Sequence, residues 1–148
     1  MTDSDEKVVA QAIEILSNNL RQCEDVVNSP TITKRFLTLR LARQESELFG
    51  ALFLNVKNQL AAAEDLFFGT LTQTAVYPRE VVKKALSHNA ASIICYHNHP
   101  SGSPDQSEAD KRLTISLQNA LMLLDIRLLD HIIVAGIDTY SFAEHGEI

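Results

Sequence analysis

The chain has 148 residues, 45% of them hydrophobic, a formal net charge of −6 at pH 7 and a sequence pI near 5.3. That length supports one compact domain with a proper core and is short for two. The negative balance opposes non-specific attachment to a phosphate backbone, which needs a face rich in Lys and Arg, so nucleic acid is not an expected partner of this chain alone.

The opening Met1-Thr2-Asp3-Ser4-Asp5-Glu6 has neither a basic nor an apolar leader segment, and no later stretch approaches the ~18 apolar residues of a membrane span. The only cysteines are Cys23, in a polar helical stretch, and Cys95, in an apolar run. They do not suggest a disulfide framework, and a reduced, cytoplasmic protein is expected. Between Lys7 and Leu20, the positions Val8, Val9, Ala12, Ile13, Leu16 and Leu20 form the stripe of an amphipathic helix, broken at Asn28-Ser29-Pro30. A second helix is read from about Thr33 to Gln44, followed by a strand from Leu48 to Val56. Lys57-Asn58-Gln59 reads as a turn and Leu60 to Phe68 as the returning strand of a hairpin.

Tyr77-Pro78-Arg79-Glu80 has the form of a helix start with proline in the first turn. A short buried strand from Ala90 to Tyr96 then delivers His97 and His99 into a loop rich in Pro, Ser and Gly. Helix resumes at Ser107 and runs to about Asp125, with strands at Ile126 to Ala135 and Thr139 to Phe142 about the turn Gly136-Ile137-Asp138. The order α-α-β-β-α-β-α-β-β predicts an α/β or α+β fold, a mixed sheet with helices on its faces.

Residues i and i+2 at a strand end point the same way, so His97 and His99 can address one point in space. Asp110 lies eleven residues after His99, in the first turn of the next helix, and the intervening loop is long enough to fold that turn back over the histidines. Two imidazoles and a carboxylate make a three-ligand set for a tetrahedral ion such as Zn2+, with the fourth corner left for water. Ser107-x-x-Asp110 also has the form of a capping box, and the two roles are compatible. His88, His131 and His145, taken singly, are expected to be structural or solvated.

Hydrolysis at such a centre needs a carboxylate near the metal that does not coordinate it. Glu47, directly before the apolar run from Leu48 to Leu54, is the candidate because a carboxylate there is costly unless placed by function or kept at the solvent edge. Glu45 and Glu64 compete with it, and pattern alone does not rank the three.

His97-x-His99, seven residues, Ser107, two residues and Asp110 resemble the JAMM motif of the JAB/MPN metalloproteases. Tyr77-Pro78-Arg79-Glu80-Val81-Val82, His97 to Gly102, Asp130-His131 and Ser141-Phe142-Ala143-Glu144 are similar to the RadC-type branch in particular. The resemblance runs from about Thr33 to the end. It implies a JAB/MPN-like mixed sheet flanked by helices, in a cytidine-deaminase-like layer architecture, with residues 1–30 as a helical extension and 31–148 as the RadC-like JAB/MPN domain. It further implies that His97, His99 and Asp110 hold Zn2+, that Glu47 acts as general base and then acid, as Glu47-x-x-Gly50-x-Leu52 matches the family's glutamate element, and that Ser107 helps stabilise an oxyanion.

The expected activity is cleavage of an amide or isopeptide bond in a peptide or protein substrate, with strand addition at an exposed sheet edge as one mode of recognition. The alternative is a non-hydrolytic binding module serving a protein or DNA-repair partner. Nucleobase deamination would need His-x-Glu beside Pro-Cys-x-x-Cys, and neither is present. Asn98 stands where JAMM deubiquitinases usually carry Ser or Thr, which turns the expectation away from ubiquitin-like substrates. Only about thirty polar residues precede the family-like part, so the chain reads as a short member with the JAB domain alone.

Overall fold

A computed structural model describes residues 1–22, 26–69 and 75–148; Cys23 lies outside the described residues. Two helices, α1 (Asp3–Gln22) and α2 (Pro30–Leu41), precede the hairpin β1 (Leu48–Leu54) and β2 (Leu60–Phe68). Then come α3 (Pro78–Ser87), β3 (Ser92–Asn98), α4 (Glu108–Met122), β4 (Arg127–Ala135) and β5 (Asp138–Ser141). The strands form one mixed sheet in the order β2-β1-β3-β4-β5, with β3 and β4 parallel and the other neighbours antiparallel.

Helices cover both faces of this sheet, so its central strands are buried throughout: no residue of β1 or β3 reaches solvent appreciably. One face packs Phe49, Ala51, Phe53, Ile93 and Cys95 against Val81 and Ala85 of α3 and Leu113, Leu117 and Leu121 of α4. The other packs Leu48, Leu52, Ile94, Tyr96, Ile132 and Val134 against Leu20, Phe36, Leu37 and Leu41. Cys95 is a free thiol, and burial pushes its pKa above the usual thiol range.

The expected elements are present in the expected order, with several boundaries displaced by a few residues, four of them for a visible reason. Pro30, read as a breaker, is the first residue of α2; a proline there removes an N–H that would have had no helical partner anyway. β1 stops at Leu54, not Val56, because the Asn55 side chain accepts the N–H groups of Lys57 and Gln59 and closes the turn. β3 continues through His97 and Asn98, since both find backbone partners on the flanking strands. α4 closes at Met122 rather than near Asp125, the Asp125 N–H turning back to the Met122 carbonyl.

One consequence of this topology places the site. Parallel neighbours require a crossover, here α4, between the end of β3 and the start of β4. The first turn of α4 therefore lies close to the C-terminal end of β3, where His97 and His99 are. Gly50 permits a second close approach: a Cβ on it would lie 2.5 Å from the Tyr96 ring and from the Glu64 carbonyl oxygen.

Candidate metal centre

His97 belongs to the alternation of β3 that carries Ile93 and Cys95, so its side chain faces α4; it is 2% exposed. His99 lies just past the strand end, its N–H bonded to the Val134 carbonyl of β4. The two Nε2 atoms are 2.9 Å apart. Asp110 Oδ1 is 3.3 Å from His97 Nε2, and its Oδ2 is 3.3 Å from His99 Nε2. One ligand atom from each of the three residues lies within 4.8 Å of the others, a spacing and donor chemistry that fit a single divalent ion of the zinc type.

Ser107 caps α4. Its Oγ accepts the Asp110 N–H at 3.0 Å while Asp110 Oδ2 accepts the Ser107 N–H at 2.8 Å. The capping box thus fixes the rotamer that turns the Asp110 carboxylate toward the histidines, so one carboxylate serves both arrangements.

Each histidine is held from behind. His99 Nδ1 lies 2.9 Å from the Ser103 carbonyl oxygen, an acceptor that calls for a proton on Nδ1, so that the neutral ring carries its lone pair on Nε2. His97 Nδ1 lies 2.7 Å from His131 Nε2, and His131 Nδ1 lies 2.6 Å from Thr114 Oγ1. Thr114 in turn donates to the Asp110 carbonyl at 2.8 Å.

Glu47, Ser107, His97, His99 and Asp110 line one open cavity of about 590 Å3, together with Glu45, Ser46 and Gly69. Glu47 is half-buried whereas Glu45 is exposed. Glu64 is elsewhere: it points to the α3 side, where it meets His88 at 2.5 Å and Lys84 at 3.5 Å, contacts that lower its pKa, the His88 hydrogen bond being the largest influence. The Glu47 backbone is anchored on both sides, its carbonyl accepting the Gly69 N–H at 2.9 Å. The Asn98 carboxamide accepts the Leu48 N–H at 2.7 Å and donates to the Ser46 carbonyl at 3.0 Å.

The charges follow the geometry. Burial opposes the Asp110 carboxylate, but its contacts with the His97 and His99 rings outweigh it and hold its pKa well below the usual carboxylate range. The Asp110 hydrogen bond raises His99 above the ordinary imidazole value. Desolvation, with His97 beside it, pushes His131 well below that value.

His131, Thr114, Ser103 and Asn98 were not singled out as functional by their sequence positions. The one legible signal was periodicity: on a parallel neighbour of β3, His131 faces the same side as Cys95, its register partner. His88 and His145 have the structural surroundings expected of them, His88 beside Glu64 and Phe53 and His145 stacked on Tyr140.

A family model described as RadC-like JAB domain matches residues 27–147. A UPF0758 protein of Janthinobacterium sp. (strain Marseille) is 57% identical over 122 residues, which are 82% of this chain and 54% of that protein. One from Herminiimonas arsenicoxydans is 53% identical over 131 residues, 85% of this chain and 58% of the relative. The chain thus spans little more than half the length of these two, whereas UPF0758 protein YkfG of Escherichia coli is 47% identical over 99% of this chain and 92% of its own length. By the extent of this match and the likeness to these relatives, the chain belongs to the RadC-like JAB domain family.

Proposed function

We propose that the protein is a metal-dependent hydrolase of the JAMM type that cleaves an amide or isopeptide bond in a peptide or protein substrate. The observation that supports this best is the convergence of His97 Nε2, His99 Nε2 and the Asp110 carboxylate at one point of a cavity that Glu47 also lines. His97, His99 and Asp110 would hold the ion, with Zn2+ favoured by two imidazoles and one carboxylate. When bound, it supplies Lewis acidity to a carbonyl oxygen and acidifies an adjacent water.

The remaining work falls to the chain's own groups. Glu47 takes the proton of the attacking water and hands it to the leaving nitrogen, a role that needs a carboxylate fixed close to the cluster without joining it. The helix cap uses a lone pair of Ser107 Oγ and leaves its O–H to donate to the developing oxyanion. The open cavity suits a chain segment passing across it better than an enclosed small molecule. No described helix is long and apolar enough to cross a membrane; a cytoplasmic setting belongs to the same proposal, supported by the free thiol of Cys95.

The test compares the zinc-loaded chain with its Glu47→Gln variant on a mixture of peptides, read by mass spectrometry, with elemental analysis of both. Cleavage by the parent, equal zinc in the two proteins and no cleavage by the variant are expected. A variant that cuts as fast as the parent would remove Glu47 from the mechanism. A parent that holds zinc and binds peptides without cutting any would favour the binding-module alternative.

A further inference from the structure

We propose that His131 and Thr114 are positioning residues of the metal centre: together they keep His97 in the one tautomer that can bind a metal and tie its ring to the helix turn that carries Asp110. The inference rests on the metal-centre reading above and extends it to two residues of β4 and α4 that touch neither substrate nor ion.

The polarity of the chain of hydrogen bonds follows from its far end. The Asp110 carbonyl can only accept, so the Thr114 hydroxyl spends its proton there, at 2.8 Å. Thr114 Oγ1 therefore offers His131 Nδ1, 2.6 Å away, a lone pair, and His131 must donate from Nδ1. His131 is 0% exposed, stacked on Phe142 at 4.7 Å and edge-on to Phe49 at 5.8 Å. No carboxylate hydrogen-bonds its ring among the described residues, and an unpaired charge there would be costly.

A neutral ring that donates from Nδ1 accepts at Nε2. The proton between His131 Nε2 and His97 Nδ1, which are 2.7 Å apart, therefore belongs to His97 Nδ1. His97 Nε2 is left as a bare lone pair aimed at the point shared with His99 and Asp110. The opposite tautomer of His97 would set two lone pairs face to face within this buried row. Because the row begins at the backbone of one ligand and ends on the ring of another, it also fixes the spacing between α4 and β3 at the site. Outer partners of this kind orient the ligating imidazole and raise its basicity.

The experiment uses the full chain with His131→Phe, which keeps the aromatic stack and removes both ring nitrogens, and Thr114→Val, which keeps the shape and removes the hydroxyl. Ring 15N spectra of the metal-free proteins are recorded at about pH 8, where an ordinary imidazole is neutral, and zinc affinity is measured against a competing chelator. In the parent, His97 should show a protonated Nδ1 and an unprotonated Nε2. In His131→Phe that signature should give way to a mixture, with zinc affinity weaker by about 10- to 100-fold. Thr114→Val should move both readouts the same way, and Thr114→Ser should restore them.

A folded His131→Phe protein with the parent's His97 spectrum and zinc affinity would overturn the proposal. If that variant does not fold, an unchanged spectrum and affinity in Thr114→Val would do so instead. A parent that binds no zinc would sink the metal-centre reading, while the metal-free spectra would still decide the tautomer.

Discussion

Asn98 brackets Glu47: its carboxamide oxygen accepts the N–H of the residue after the glutamate, at 2.7 Å, and its amide nitrogen donates to the carbonyl of the residue before it, at 3.0 Å. The side chain lying between the two histidines in sequence thus points through the opposite face of β3 and fixes the backbone from which the proposed base projects.

Asn98→Ala should therefore separate metal binding from turnover. The Leu48 N–H and the Ser46 carbonyl lose their partner, at a cost of about 1–3 kcal/mol in urea unfolding if they remain dry. His97 and His99 keep their own supports, so zinc content should equal the parent's while cleavage falls. Asn98→Ser, too short to span both groups, should behave like the alanine variant. Loss of zinc from either would show that the carboxamide also supports the histidines.

The two roles of Ser107 can be told apart by substitution. Ser107→Ala removes the N-cap acceptor of α4 and should cost about 1 kcal/mol in thermal or urea unfolding. Ser107→Asp restores an acceptor at the same place and should recover that stability. It cannot donate to an oxyanion, so turnover should stay low. Full activity in Ser107→Asp would leave the residue as a cap alone.

Gly50 is fixed by what lies above it. The Tyr96 hydroxyl donates to Asp65 Oδ1 at 2.6 Å, which keeps its ring from swinging away, and the Glu64 carbonyl oxygen is backbone. Gly50→Ala should cost at least about 1–3 kcal/mol by chemical denaturation. Adding Tyr96→Phe should recover little of this, because the contact with Glu64 persists. Full recovery in the double variant would mean that the ring is the only obstacle.

In the metal-free protein the Asp110 contact raises the pKa of His99. A group raised on folding contributes stability that is complete below its unfolded value, near 6.5, and is lost as pH rises through the folded value. Thermal midpoints of the metal-free chain should therefore fall above about pH 6.5 relative to an Asp110→Asn control. Zinc must displace the His99 proton, so its apparent affinity should rise over the same interval. A zinc affinity that does not change with pH there would show that His99 is not a ligand.

The fold was largely legible because its elements announce themselves by period and punctuation. The amphipathic stripe from Val8 to Leu20, the turn at Asn58 and the proline at the start of α3 are local signals, and α1, the hairpin and α3 appear where they indicate. The displaced boundaries have local causes that pattern alone underweighted: Pro30 begins a helix as readily as it ends one, and the Asn55 side chain closes its turn early. His97-x-His99 and Asp110 were legible as a candidate ligand set for a similar reason, since a strand end, a loop and a helix start in succession bring those residues to one place.

Sequence by itself determined the alternation that puts His97 and His99 on a common side, the cap that holds Asp110, and the apolar rows that bury the sheet. These depend on residues a few positions apart, where backbone geometry leaves little choice. Only the tertiary structure decided which distant groups stand behind them: Asn98 against the start of β1, and His131 and Thr114 behind His97. Those pairings join residues 17 to 52 positions apart, and nothing in a local period specifies them. They arise from strand order and register, which are set by the packing of the whole sheet between its helices.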